Sequence, residues 1–129
     1  MDGNVRLTEN VTRGGWGTVD FAVLANGSVP AKDFLDGLSA SAKATFLEDF
    51  QKMADYGVVP RKRFKKEMGT LFAFRNVNLQ VRFPCFRDGK SWILTHGFYK
   101  PGAQKGKGQW PRSQTERAEA IEAQYRTRK

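Results

Sequence analysis

Within residues 71–100, LFAFRNVNLQVRFPCFRDGKSWILTHGFYK, five side chains are of types that handle phosphate esters: Arg75, Arg82, His96, Tyr99 and Lys100. An arginine fork grips a phosphate through two oxygens and stays charged at any working pH. Two arginines, a lysine and an imidazole or phenol form a minimal set for cleaving RNA. A base takes the proton of a 2′-hydroxyl as it attacks phosphorus, cations stabilise the developing charge, and an acid protonates the leaving 5′-oxygen. The route requires no metal. One His, one Cys and no carboxylate cluster at ligand spacing make no metal constellation, and no cofactor is expected. Each residue also has a plain reading. His96 fits a structural histidine in a strand, and Tyr99 fits a cap on a sheet edge. Cys85, beside Pro84, fits a small buried residue better than a nucleophile, since no second His supports a Cys–His pair.

The segment that carries these residues reads as three short strands, about 71–77, 79–87 and 91–99, with Asp88-Gly89 as a hairpin turn. Alternation puts Arg75 and Arg82 on faces that meet across neighbouring strands. Register decides whether His96 or Tyr99 joins them. Pro84 removes a ladder donor and predicts a bulge or an edge at that strand.

Upstream, residues 1–14 show no period and read as a flexible tail before a single domain over 15–129. GWGTVDFAVLA, 15–25, suits a first strand. Ser28, Pro30 and the apolar Phe34, Leu35 and Leu38 suit a short helix. Phe46, Leu47, Phe50, Met53 and Ala54 suit a second over about 40–56, stopped by Gly57. The expected architecture is α+β: a small, twisted, mainly antiparallel sheet packed on one face by an N-terminal αα-hairpin, with its other face open. RKRFKK, 61–66, holds five basic residues in six and fits neither helix nor strand clearly. A Gly- and Lys-rich loop with Lys105 and Lys107 precedes Trp110, which would stack a base or pin the chain's end. A largely polar helix follows over about 112–127, with a thin apolar line at Ala118, Ile121 and Tyr125.

Charge is placed unevenly. Of the net +9, residues 1–59 contribute −3 and residues 60–129 contribute +12. That asymmetry points to a polyanion met by the second half, with Lys62, Arg63, Lys65, Lys66, Lys105 and Lys107 as contacts. No apolar run approaches the roughly 20 residues of a membrane span, and the N-terminus lacks a signal-peptide pattern. A single cysteine excludes an internal disulfide, and a cytoplasmic protein without a membrane partner is expected.

The order strand, two helices, basic stretch, meander and terminal helix resembles the RelE/ParE toxin superfamily, and within it the phage-derived HigB-type toxins. The likeness is most specific over Leu94-Thr95-His96-Gly97-Phe98-Tyr99-Lys100, Gln104-Lys105, Pro111 and Glu116-Arg117-Ala118. Leu71–Arg75 and Val81-Arg82-Phe83 are similar to two upstream strands of that family. Ala73 stands where the family often has Glu, the loop before Pro111 is expanded, and Pro101 replaces a common lysine. The resemblance implies a RelE-like fold and an endonuclease acting on mRNA held in the ribosome, neutralised by a small helix-turn-helix antitoxin. It also implies that Arg75 and Arg82 contact the scissile phosphate, that His96, Tyr99 and Lys100 supply proton transfer or charge stabilisation, and that Lys62, Lys65 and Lys66 meet RNA. The superfamily also holds gyrase-directed toxins, so a non-catalytic toxin or a phage nucleic-acid-binding module is the alternative.

Overall fold

The computed structural model describes residues 6–101 and 110–129. Their order is β1 (Thr8–Arg13), β2 (Thr18–Ala22), α1 (Pro30–Asp36), α2 (Ala40–Tyr56), β3 (Phe64–Met68), β4 (Leu71–Asn76), β5 (Val81–Asp88), β6 (Ser91–Leu94), β7 (Phe98–Tyr99) and α3 (Arg112–Arg128). The seven strands form one mixed sheet in the order β1-β2-β6-β5-β4-β3, with β7 paired to β5. β2 and β6 run parallel, and every other pair is antiparallel.

This overturns the expected architecture in the size of the sheet and the place of the helices. The sheet of seven strands is larger than the small RelE-like one, its first helix follows two strands, so no helical hairpin stands at the N-terminus, and one parallel pair makes the mainly antiparallel sheet a mixed one. The tail expected over 1–14 gives way at Thr8 to β1. That strand lies at the sheet's edge, with only Val11 packed toward the core and a register shift between Asn10 and Thr12. An edge strand with one flank in water needs no continuous apolar pattern, so composition alone does not reveal it.

The local causes of the helices are plain. The Ser39 hydroxyl caps α2 by accepting from Ala42 N–H at 3.2 Å. Gly57 ends it at φ +77, the left-handed conformation a side chain resists. Pro30 opens α1 at its first turn, but Val29 is the cap residue and Ser28 is not used. α1 and α2 lay Leu35, Phe46, Phe50 and Met53 on Val19, Phe74, Val81, Phe83, Cys85 and Leu94 of the sheet. Phe50 meets Phe74 edge-on at 4.8 Å, and Phe46 meets Phe83 at 4.9 Å. Such pairs add about 0.5–1.5 kcal/mol each beyond the area they bury.

The second face is not bare either. α3 crosses it, setting Ile121 and Tyr125 against Phe86 and Ile93, and Ala118 beside Leu71, Ala73 and Phe98. The Tyr125 hydroxyl donates to Asp88 at 2.6 Å, and Lys129 pairs with the same carboxylate. The thin apolar line of the last helix is thus core.

The strand expected at 91–99 divides at Pro84. β6 pairs with Cys85–Asp88, and β7 pairs with Val81 and Arg82. Between them Pro84 offers no N–H, so the partner chain loops out at Thr95–Gly97, with Thr95 N–H donating to the Pro84 carbonyl at 2.8 Å.

Candidate active site

Strand register assembles the site. Arg75 lies opposite Arg82 across β4 and β5, and Arg82 lies opposite Phe98 across β5 and β7. Lys65 lies opposite Ala73 across β3 and β4. These residues share the face crossed by α3. Lys100 follows β7 directly, its N–H held by the Gln80 carbonyl at 2.6 Å. Gln80 itself takes a left-handed φ of +58 in the β4–β5 turn, an uncommon conformation for a non-glycine residue.

Among these cations stands a residue that no motif singled out. Glu67 lies at the register shift of β3, and the charges that act on it are Lys65, Arg75, Arg82 and Lys100. Burial raises its pKa above the ordinary carboxylate value, and the four cations work against that rise. Burial lowers Lys100, with Arg82 adding to the effect and Glu67 opposing it. Burial also lowers Arg82, helped by Arg75 and opposed by Glu67. A carboxylate moved up and an ammonium moved down have the opposed shifts of a base and an acid serving one proton-transfer reaction.

Of the five residues expected to act together, three converge. Arg75 is half-buried at the mouth of the group, where it donates to the Arg61 carbonyl at 3.2 Å. Lys100 lines it at 6 % exposure. Arg82 belongs to it but is only 1 % exposed and donates to the Val81 carbonyl at 3.0 Å, so its charge acts from beneath the surface. A direct phosphate contact, expected of Arg82, is not available to it in this conformation.

The other two lie elsewhere. Tyr99 pairs with Val81, which puts it on the opposite face, 60 % exposed and packed at 5.2 Å on Phe34. His96 is fully buried, with Nδ1 3.0 Å from Thr95 Oγ1 and Nε2 2.9 Å from Gln114 Oε1 of α3. Burial pushes its pKa down to about 4. His96 therefore ties α3 to the sheet. Gly97 beside it has a packing reason, because a Cβ there would come 2.3 Å from a Phe34 ring carbon.

No protein-family model matches the chain, and no curated protein matches it.

The basic stretch splits by position. Lys65 joins the Glu67 group, whereas Lys62 and Lys66 are exposed. Arg63 is committed to Asp49 of α2 at 3.1 Å, and Asp49 is 2 % exposed. Lys105 and Lys107 lie outside the described residues. Trp110 is buried edge-on against Phe98 at 5.4 Å, pinning the start of α3. Cys85 is fully buried, which raises its pKa well above the ordinary thiol value. Among the described residues, no three His, Cys, Asp or Glu side chains group as metal ligands, and no helix is long and apolar enough to cross a membrane.

A signal for Glu67 was present. In RKRFKKEM, Lys65 and Glu67 alternate with Phe64 and Lys66. Taken as a strand next to β4, that alternation puts Lys65 and Glu67 on one side of the strand, so a carboxylate reaches the sheet from β3 although Ala73 offers none on β4.

Proposed function

We propose that this chain is an endoribonuclease that cleaves RNA by attack of the 2′-hydroxyl, without a metal. The observation that carries the reading is that Lys65, Arg75 and Arg82 share one sheet face by register, and that their charges and that of Lys100 all act on the partly buried Glu67. Lys65 and Arg75 meet the scissile phosphate. Glu67 takes the proton of the 2′-hydroxyl as its oxygen bonds to phosphorus. The bond from phosphorus to the 5′-oxygen breaks, and Lys100 delivers a proton to that oxygen. The products are a 2′,3′-cyclic phosphate and a 5′-hydroxyl. Arg82 keeps Glu67 ionised against its burial and adds to the positive field. The likeness of residues 94–118 to HigB-type toxins supports cytoplasmic mRNA on the ribosome as the substrate and a small helix-turn-helix antitoxin as the partner.

The test is incubation of the purified chain with RNA in a chelator, with and without translating ribosomes, followed by analysis of the cleaved ends. Cyclic phosphate ends are expected, lost by about 10²-fold or more in Glu67→Gln. RNA left intact in both arms would overturn the reading. A non-catalytic nucleic-acid-binding module is the second reading. It is favoured by the burial of His96 and Arg82, which removes two expected groups from the surface.

A further inference from the structure

A cavity of about 310 Å³ opens where α2, the approach to β3 and the β4–β5 turn meet. Its polar walls come from Thr45, Asp49, Lys62, Arg75, Asn76 and Asn78. This volume falls at the lower end of ligand pockets, about 300–1,000 Å³. Arg75 lines the cavity, and its charge also acts on Glu67, so it links the two.

Three observations say what would fill it. First, its cations are Lys62, Arg63 and Arg75, with Asp49 already paired to Arg63. Second, Arg75 Nε is buried and has no hydrogen-bond partner among the described residues. A buried donor without an acceptor is unfavourable, and an anionic oxygen that draws the guanidinium toward it relieves this. Third, two carboxamides project from the adjoining turn. Asn76 Oδ1 is engaged by Leu79 N–H at 3.0 Å, so its amide group is the part left to donate, and Asn78 is exposed. A carboxamide presents a donor and an acceptor side by side, the arrangement that pairs with a base edge.

We propose that this cavity is a nucleotide subsite: it takes the base next to the phosphate held at Lys65 and Arg75, and so sets sequence preference. The inference rests on the reading of the Glu67 group as an RNA site. Asn78 reads the base, and Lys62 holds the following phosphate.

The experiment measures binding of single-stranded hexanucleotides, 2′-O-methylated throughout so that none is cleaved, by fluorescence anisotropy. The parent chain is expected to discriminate the base at one position. Asn78→Ala flattens that preference and weakens the best sequence by about 3- to 10-fold. Lys62→Ala weakens all sequences alike and lowers the salt slope by about one. Base preference is read from binding of uncleavable RNA, so a failure of cleavage leaves this result readable. Unchanged base preference in Asn78→Ala overturns the subsite. So does the absence of binding to any hexanucleotide.

Discussion

Arg75 and Arg82 are direct partners across β4 and β5, two cations on the same sheet face, with the second of them 1 % exposed. Like charges placed opposite one another destabilise a strand pair. Glu67 on the next strand supplies the opposing charge. Backbone carbonyls of Arg61 and Val81 also accept from the two guanidiniums, but a like-charge pair on a sheet face remains, which is the pattern of a functional site in a fold otherwise locally consistent.

Arg82 separates shape from charge. Arg82→Ala should lower stability in urea denaturation by about 2–4 kcal/mol, because a large buried side chain leaves a void. Arg82→Met should lower it by less than about 1.5 kcal/mol, because it fills much of the space and removes the repulsion from Arg75. Equal losses in the two variants would mean that the charge itself stabilises the fold.

Glu67 should show opposite effects on activity and stability. Its folded pKa is raised, so its contribution to stability is present below the unfolded value of 4.5 and is lost as pH rises through the folded value. At pH 7, Glu67→Gln should therefore unfold at higher denaturant than the parent while losing cleavage. A variant that is both inactive and less stable would contradict this assignment.

His96 should govern the acid limb of stability. Its pKa falls from 6.5 to about 4 on folding. The unfolded chain therefore binds the proton first, and stability is present above pH 6.5 and lost as pH falls toward 4, by up to about 3 kcal/mol. Urea melts at pH 7 and pH 4.5 should differ in that sense, and by less in His96→Asn. Cleavage between pH 6 and 8 should show no limb that disappears with His96.

Cys85 gives a simple check on the core. It is fully buried with a raised pKa, so a thiol reagent should label it only after denaturation. Fast labelling of the native chain would place it at the surface, against the packing described.

Gly97 should tolerate no side chain. Gly97→Ala drives a Cβ toward Phe34, and the clash should cost about 1–3 kcal/mol in thermal or urea unfolding. Phe34→Leu in the same chain should recover part of that loss. No recovery would place the clash on Phe83, whose ring is the next nearest at 2.9 Å.

Much of the second half was legible in the residues. Asp88-Gly89 fixed a hairpin, alternation put Arg75 and Arg82 on one face, and Gly57 stopped α2 where the structure stops it. What escaped has physical causes. β1 is an edge strand with little apolar content. The division of β6 from β7 depends on a missing N–H at Pro84, whose effect falls on the partner strand. The pairing of β2 with β6 is tertiary and leaves no local trace. Tyr99 was displaced from the site by parity: one residue along β7 reverses the face. Glu67 was hidden by its company, since five basic neighbours made RKRFKK read as a charge run when part of it is strand.

The seam between β2 and β6 has a consequence for how the chain is made. Thr18 and Ser91, 73 residues apart, meet there through their hydroxyls at 2.7 Å. During synthesis the N-terminal hairpin and both early helices can pack on one another, but the face they share with Phe74, Phe83 and Leu94 is completed only after β4, β5 and β6 leave the ribosome. Non-local closure of this kind makes folding slow and leaves the phenylalanines of α2 exposed to other chains meanwhile. The interval between the first strand and the sixth is therefore when this protein is most open to capture by a chaperone or a binding partner.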